Sequence, residues 1–173
     1  MTLSVLIVCL GNICRSPMGE AVLRHIASER GVELTIDSCG TGAYHIGSLA
    51  DPRQVIGVVV WDVISQTEIL EHDVPALGFP LQHGISIDVP LKDGPRGGQP
   101  HKARVVETDD FTKFDHILAA DGSNLRNLER IKPDNCTADV RLWGSYLDNK
   151  PISDPYYDSE EVRIQQPSGS RVF

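Results

Sequence analysis

The 173-residue sequence predicts an α/β fold, a four-stranded parallel sheet with helices on both faces. Three observations carry this. Residues 3–8 form an apolar run of strand length that ends at Cys9. Three further short segments rich in apolar residues follow, at 32–36, at 114–120 and within 139–146. Helix-forming stretches lie between them, and strands that alternate with helices return parallel to one another. A chain of this length buries its apolar surface in one core, so residues 1–173 are expected to form a single domain.

Taken in order, the first strand leads into the loop 9–15. Ser16-Pro17 then reads as a helix N-cap followed by proline at the first helical position. Met18, Ala21, Val22 and Ile26 recur at helical spacing, and Gly31 ends the helix. The alternating strand 32–36 runs into Asp37-Ser38 and the turn Gly40-Thr41-Gly42. Asp51-Pro52-Arg53 should open a second helix. Residues 107–114 read as a short polar helix, and 114–120 as the third strand, ending at Asp121. Ser123 is a plausible cap for a helix carrying Leu125 and Leu128 on one face. Val140 and Leu142 mark the fourth strand.

The chemistry concentrates where the first strand meets the first helix. Cys9-Leu10-Gly11-Asn12-Ile13-Cys14-Arg15-Ser16 has the pattern C-x5-R-S. A tight loop at a helix N-terminus aims backbone N–H groups and the positive end of the helix dipole at one small volume, which is an anion site. Gly11 and Asn12 tolerate the left-handed backbone such a loop needs. The same field favours the thiolate of Cys9. Arg15 can grip two phosphate oxygens bidentately, and Ser16 is placed to donate to the sulfur. A buried structural cysteine beside a surface arginine is the plainer alternative; the strand before and the helix after argue against it. Asp154-Pro155 is a second candidate. An aspartic acid near the thiolate can protonate a leaving oxygen, although Asp-Pro alone is a common turn dipeptide.

These residues resemble the signature of the low-molecular-weight protein tyrosine phosphatases. Further matches follow in that family's order: Asp37-Ser38-Cys39-Gly40-Thr41-Gly42, Tyr44-His45-Ile46-Gly47, Asp51-Pro52-Arg53, His101-Lys102-Ala103-Arg104, Asp121 with Ser123-Asn124-Leu125, and Asp154-Pro155-Tyr156-Tyr157. The resemblance implies a flavodoxin-like, phosphotyrosine phosphatase I-like sheet of order 2-1-3-4. It implies Cys9 as nucleophile, Arg15 and the loop 10–14 with Ser16 as phosphate binders, and Asp154 as general acid and base. Ser38 would steady Asn12, while Tyr44, Tyr156 and Tyr157 would flank the substrate ring. Cys14 would pair reversibly with Cys9 under oxidation, a small buried filler being the alternative. The implied substrates are phosphotyrosine-containing proteins and aryl phosphates, with no cofactor and no metal. Arsenate reductases share the loop but need additional cysteines, and Asp-Pro-Tyr-Tyr favours a phosphatase. Ile13 stands where relatives acting on phosphoarginine carry threonine. A non-catalytic phosphate-binding protein is the reading from another class.

Three stretches depart from the family. Residues 54–82 and 89–100 contain atypical insertions, read as surface excursions or as translated non-coding sequence. The first holds the β-branched run Val55-Ile56-Gly57-Val58-Val59-Val60-Trp61, which would aggregate if exposed. Residues 158–173 read as an atypical, truncated tail, with Pro167 and Gly169 breaking a helix.

A net charge of −8 gives no support to nucleic-acid binding, and no basic run marks a stable membrane association. No signal peptide is expected at the N-terminus. Four cysteines, one of them a candidate nucleophile, do not form a disulfide framework and fit a reducing cytoplasm.

Overall fold

The computed structural model describes residues 2–51, 101–146, 149–152 and 154. The atypical stretches 54–82, 89–100 and 158–173, and the helix expected after Asp51, lie outside them, as do Tyr156 and Tyr157. Four strands, β1 (Leu3–Cys9), β2 (Leu34–Gly40), β3 (His116–Ala119) and β4 (Asp139–Leu142), form one sheet of order β2-β1-β3-β4. All three pairings are parallel. Three helices accompany them: α1 (Arg15–Glu29), α2 (Asp110–Lys113) and α3 (Gly122–Ile131).

Strand β1 is central, so both its faces must be apolar, and Val5 to Val8 are fully buried. Val5, Ile7 and Cys9 face the core that α1 closes with Met18, Val22, Leu23 and Ile26. Leu6 and Val8 face the other way, towards Phe111 on α2, Phe114 and Leu128 on α3. The period of two along one strand therefore places helices on both faces. The ring of Trp143 lies where a Cβ on Gly19 would be, so the absence of a side chain there brings α1 onto the turn that follows β4.

Helix α1 starts two residues earlier than the sequence suggests. Cys14 is its N-cap and makes no side-chain capping bond, although its carbonyl accepts from Met18 N. Ser16 thus lies inside the first turn with its hydroxyl turned to the loop. Pro17 is tolerated there because first-turn N–H groups have no helical acceptor. The C-terminus follows expectation: Gly31 at φ +64° closes a double cap, with Val32 N donating to Ala27 O and Gly31 N to Ser28 O. At α3 the cap is Asp121 and not Ser123: its Oδ1 accepts from the amides of Ser123 and Asn124 at 2.8 Å each. Strand β2 runs on through Ser38 to Gly40, because its register continues to Cys9↔Gly40. Strand β4 ends at Leu142, where a 3-10 turn, Trp143–Tyr146, takes over.

These features bring Cys9, Ser38 and Asp121 to one edge of the sheet, the carboxyl edge where parallel α/β sheets bind ligands. Ile152 and Asp154 return to it, with Ile152 N donating to Ala120 O at 2.8 Å and Asp154 accepting from Arg15.

At the opposite edge Asp115 Oδ2 accepts from Ser4 N at 2.8 Å and from Ser4 Oγ at 2.6 Å. Those bonds hold its carboxyl below the ordinary aspartate value. A lowered carboxylate adds stability that is fully present above about pH 4 and is lost as pH falls through the folded-state value. Asp115 is exposed, so solvent limits the contribution to about 1 kcal/mol or less. Asp115→Ala should lower the unfolding free energy at pH 7 by that amount, and the gap to wild type should close towards pH 2–3, as paired urea denaturation curves would show.

Candidate active site

Cys9 ends β1 with its side chain buried. Its Sγ lies 3.0 Å from Ser16 Oγ and accepts from Asn12 N at 3.3 Å. Between the two ends of the loop, the amides of Gly11, Ile13 and Cys14 meet no acceptor among the described residues. They adjoin the N-terminus of α1, whose dipole adds positive potential. Leu10 and Ile13 are half-buried in the loop wall.

The loop is held by Asn12, fully buried at φ +54°. Its Nδ2 donates to Ser16 Oγ at 2.9 Å and to Ser38 Oγ at 3.0 Å, and its Oδ1 accepts from Arg104 N at 2.9 Å. Its carbonyl lies 2.7 Å from His101 Nε2, which must carry the proton because a carbonyl only accepts. Ser38 passes its own proton to Glu20 Oε2 at 2.7 Å. Glu20, with no exposed surface, is met on its other oxygen by Arg24 at 3.1 Å. With both amide protons of Asn12 spent on hydroxyls, the Ser16 proton lies between Cys9 Sγ and Cys39 O at 3.2 Å.

Arg104 fixes this frame from outside. Its guanidinium binds Asp37 at 3.0 Å and Asp110 at 2.8 Å, while its carbonyl accepts from Gly40 N. Gly40 matters by what it lacks, since a Cβ there would come 2.7 Å from Leu10 O and 3.2 Å from Asn12 N. Both are loop backbone.

Arg15, 3% exposed, lies across the site. Nη1 donates to Asp121 Oδ2 at 2.7 Å and to Ile152 O at 3.0 Å, and Nη2 donates to Asp154 Oδ2 at 2.7 Å. Arg15 and Asp154, 139 positions apart in sequence, are thus in direct contact. Cys14 is buried in the loop. Its thiol is pushed up to about 12 by burial and then by the negative charges of Cys9, Asp154 and Asp51, so it stays protonated. Burial likewise raises the Cys39 thiol. Tyr44 stands 76% exposed on the segment after β2.

Sequence reasoning from the residues alone gave no role to Asp121, His101, Arg104 or Glu20. Glu20 carried one signal, a carboxylate one helical turn beyond Ser16 on a helix face otherwise apolar. The imidazole of His45, which packs against Gly11, was also unassigned; a Cβ on Gly11 would lie 2.8 Å from its Cδ2.

A family model described as low molecular weight phosphotyrosine protein phosphatase matches residues 4–64. A relative from Schizosaccharomyces pombe carrying the same description is 40% identical over 165 residues, spanning 92% of this chain and 84% of its own. One from Sus scrofa is 37% identical, with the same coverage of both chains. Among solved structures, YfkJ from Bacillus subtilis is similar with TM-score 0.60 and 31% identity, over 91% of this chain and 81% of its own. A Drosophila protein titled DARP, drosophila arginine phosphatase, is similar with TM-score 0.60 and 29% identity, over 90% of this chain and 82% of its own.

Ser38→Ala removes one acceptor for Asn12 and the donor to buried Glu20. The unmet buried groups should cost about 1–3 kcal/mol in a urea titration. Turnover should fall by more than KM changes, because the loop loses shape and keeps its charges; steady-state kinetics on an aryl phosphate separates the two.

Proposed function

The chain belongs to the low-molecular-weight phosphotyrosine protein phosphatase family, and from that premise we propose that it hydrolyses phosphotyrosine in proteins, and small aryl phosphates, through a phosphocysteine on Cys9. One observation carries the reading. A buried thiol whose sulfur accepts from Asn12 N and lies 3.0 Å from the Ser16 hydroxyl shares its loop with an arginine bonded to a carboxyl group.

The phosphate dianion binds to the loop amides and Arg15, and Cys9 Sγ attacks phosphorus in line with the ester oxygen. The S–P bond forms as the P–O bond breaks, and Asp154 gives its proton to the departing phenolate. Charge on the three equatorial oxygens meets donors already in place, so little reorganisation is needed. Water then attacks the phosphocysteine and gives a proton to Asp154, and the P–S bond breaks to return thiolate and inorganic phosphate. Ser16 stabilises the thiolate as nucleophile and as leaving group, and Asp121 and Ile152 O orient Arg15. Tyr44 forms part of the rim, and Tyr156 and Tyr157 are assigned to it by resemblance alone. Cys14 is the candidate partner for reversible oxidation of Cys9. Free thiols in this role support a cytoplasmic setting. Among the described residues no helix is long and apolar enough to cross a membrane.

Cys9→Ser should abolish hydrolysis of an aryl phosphate at pH 5.5 without added metal. Asp154→Asn should lower kcat by roughly 10²-fold or more. Because Asp154 is the proton donor to the leaving oxygen, the gap between wild type and Asp154→Asn should narrow as the leaving phenol becomes more acidic, as kcat/KM over a series of aryl phosphates would show. A gap that does not change along the series would refute the assignment. Phosphotyrosine and phosphoarginine peptides assayed side by side test the substrate class, with phosphotyrosine expected to be preferred because Ile13 lines the loop.

A further inference from the structure

We propose that Asp154 is an internal counter-ion that phosphate displaces from Arg15, so that the proton donor of the reaction also sets the affinity of the loop for phosphate. This rests on the reading of the site given above.

The argument starts from the hydrogen-bond capacity of Arg15. A guanidinium has one N–H on Nε and two on each terminal nitrogen. Both Nη1 protons are committed, to Asp121 Oδ2 and to the Ile152 carbonyl. A phosphate held bidentately needs two adjacent N–H groups. Either pair of adjacent nitrogens, Nε with Nη2 or Nη1 with Nη2, includes Nη2. Nη2 is the nitrogen that already donates to Asp154 at 2.7 Å.

Two anions therefore meet at one nitrogen. Bonded to Nη2 together, a phosphate oxygen and Asp154 Oδ2 would lie within roughly 5 Å of each other. Arg15 is almost fully screened from solvent, so that repulsion is poorly damped. The surroundings add no cation among the described residues in contact with Arg15. Asp121 occupies its other side, Cys9 supplies a thiolate on the proposed mechanism, and Asp51 contributes negative charge at Cys14. One guanidinium cannot balance a dianion, a thiolate and two carboxylates.

Of the two carboxylates on Arg15, Asp154 is the one on the nitrogen that both bidentate modes use. Asp121 sits on Nη1, and its second oxygen caps α3 through two amides at 2.8 Å, so withdrawing it would uncap the helix. The segment of Asp154 stays anchored without the carboxylate, because Ile152 is tied to Ala120 O through its N–H and to Arg15 through its carbonyl. Phosphate takes the place of Asp154 on Nη2, and the released carboxylate takes up a proton from solvent before it donates that proton to the ester oxygen.

The probe is inorganic phosphate, the reaction product, measured by calorimetry or as a competitive inhibitor at pH 7. Asp154→Asn keeps the shape and removes the charge, and should bind phosphate about tenfold tighter than wild type. Asp154→Ala should do the same. Asp51→Asn removes a nearby charge that makes no bond to Arg15, and should change the affinity less than about twofold. Equal or weaker binding by both Asp154 variants overturns the proposal. So does an equal gain in Asp51→Asn, which would mean a general field effect. Hydrolysis by wild type, absent in Cys9→Ser, is scored separately. If it stands while the Asp154 variants bind no tighter, only the displacement fails. If wild type neither hydrolyses an aryl phosphate nor binds phosphate, the functional reading fails and takes the displacement with it.

Discussion

The structure depends on one buried residue held in an unfavourable backbone conformation. Asn12 sits at φ +54°, where only glycine is comfortable and asparagine is tolerated. Such a conformation costs about 1 kcal/mol or more and persists only if its surroundings over-determine it. Five polar contacts do so: both amide protons to Ser16 and Ser38, the side-chain oxygen to Arg104 N, the carbonyl to His101, and the amide to Cys9 Sγ. The contacts come from five places in the chain: the end of β1, the first turn of α1, β2, and residues 101 and 104. Only when all are assembled is the loop held in this conformation. Its shape is thus a product of the completed fold, and the loop sequence alone does not dictate it.

This explains the position of the sheet's polar residues. Ser38 lies on β2, beside β1, with Ile7 as its partner in register, and so reaches the loop from the side. Glu20 stands on α1, one turn past Ser16, in a core otherwise built of Met18, Val22, Leu23 and Ile26. Burying an ionised carboxylate is expensive unless it is hydrogen-bonded. Here Ser38 and Arg24 satisfy it. As an acceptor only, the carboxylate also settles the direction of the Ser38 hydroxyl, and that fixes which atoms Asn12 can bond. Arg104 acts in the same manner from the other side, its guanidinium locked between Asp37 and Asp110 so that its backbone N–H stays on Asn12.

What was legible in the sequence follows from locality. The strand-loop-helix unit around Cys9 and Arg15 is contiguous, and its periodicity and loop residues foretold the arrangement. The sheet order came from resemblance and not from any pattern in the residues, since alternation of elements does not rank strands. The capping errors have a shared cause. Ser16 and Ser123 are good cap types, but in both cases a residue two positions earlier ends the non-helical backbone: Cys14, whose carbonyl receives the first helical bond, and Asp121, whose carboxylate takes two amides. A hydroxyl drawn into the Cys9 and Asn12 network is not available to cap. Likewise β2 outran its hydrophobic pattern because parallel pairing with β1 continues through Asp37 and Ser38, whose side chains are engaged by Arg104 and Asn12. His101 and Arg104 were visible only as a family match, for they reach Asn12 across 89 and 92 residues. No local rule spans that distance.

Arg15 shows how far stability and chemistry are joined here. A buried guanidinium needs counter-charge, and breaking one partner of such a group is costly because the remaining charge is stranded. Asp121 and Asp154 supply that charge from the ends of two different segments, and the Ile152 carbonyl fills the remaining proton of Nη1. In the resting protein, therefore, Arg15 ties Ile152 and Asp154 to the carboxyl edge of the sheet. A ligand that brings two negative charges can take over the role of one carboxylate without stranding the cation. A neutral ligand cannot. Selectivity for an anion over a neutral ligand then requires no dedicated specificity pocket: it follows from a cation that is already satisfied, and that exchanges an internal partner only for an external one of equal or greater charge.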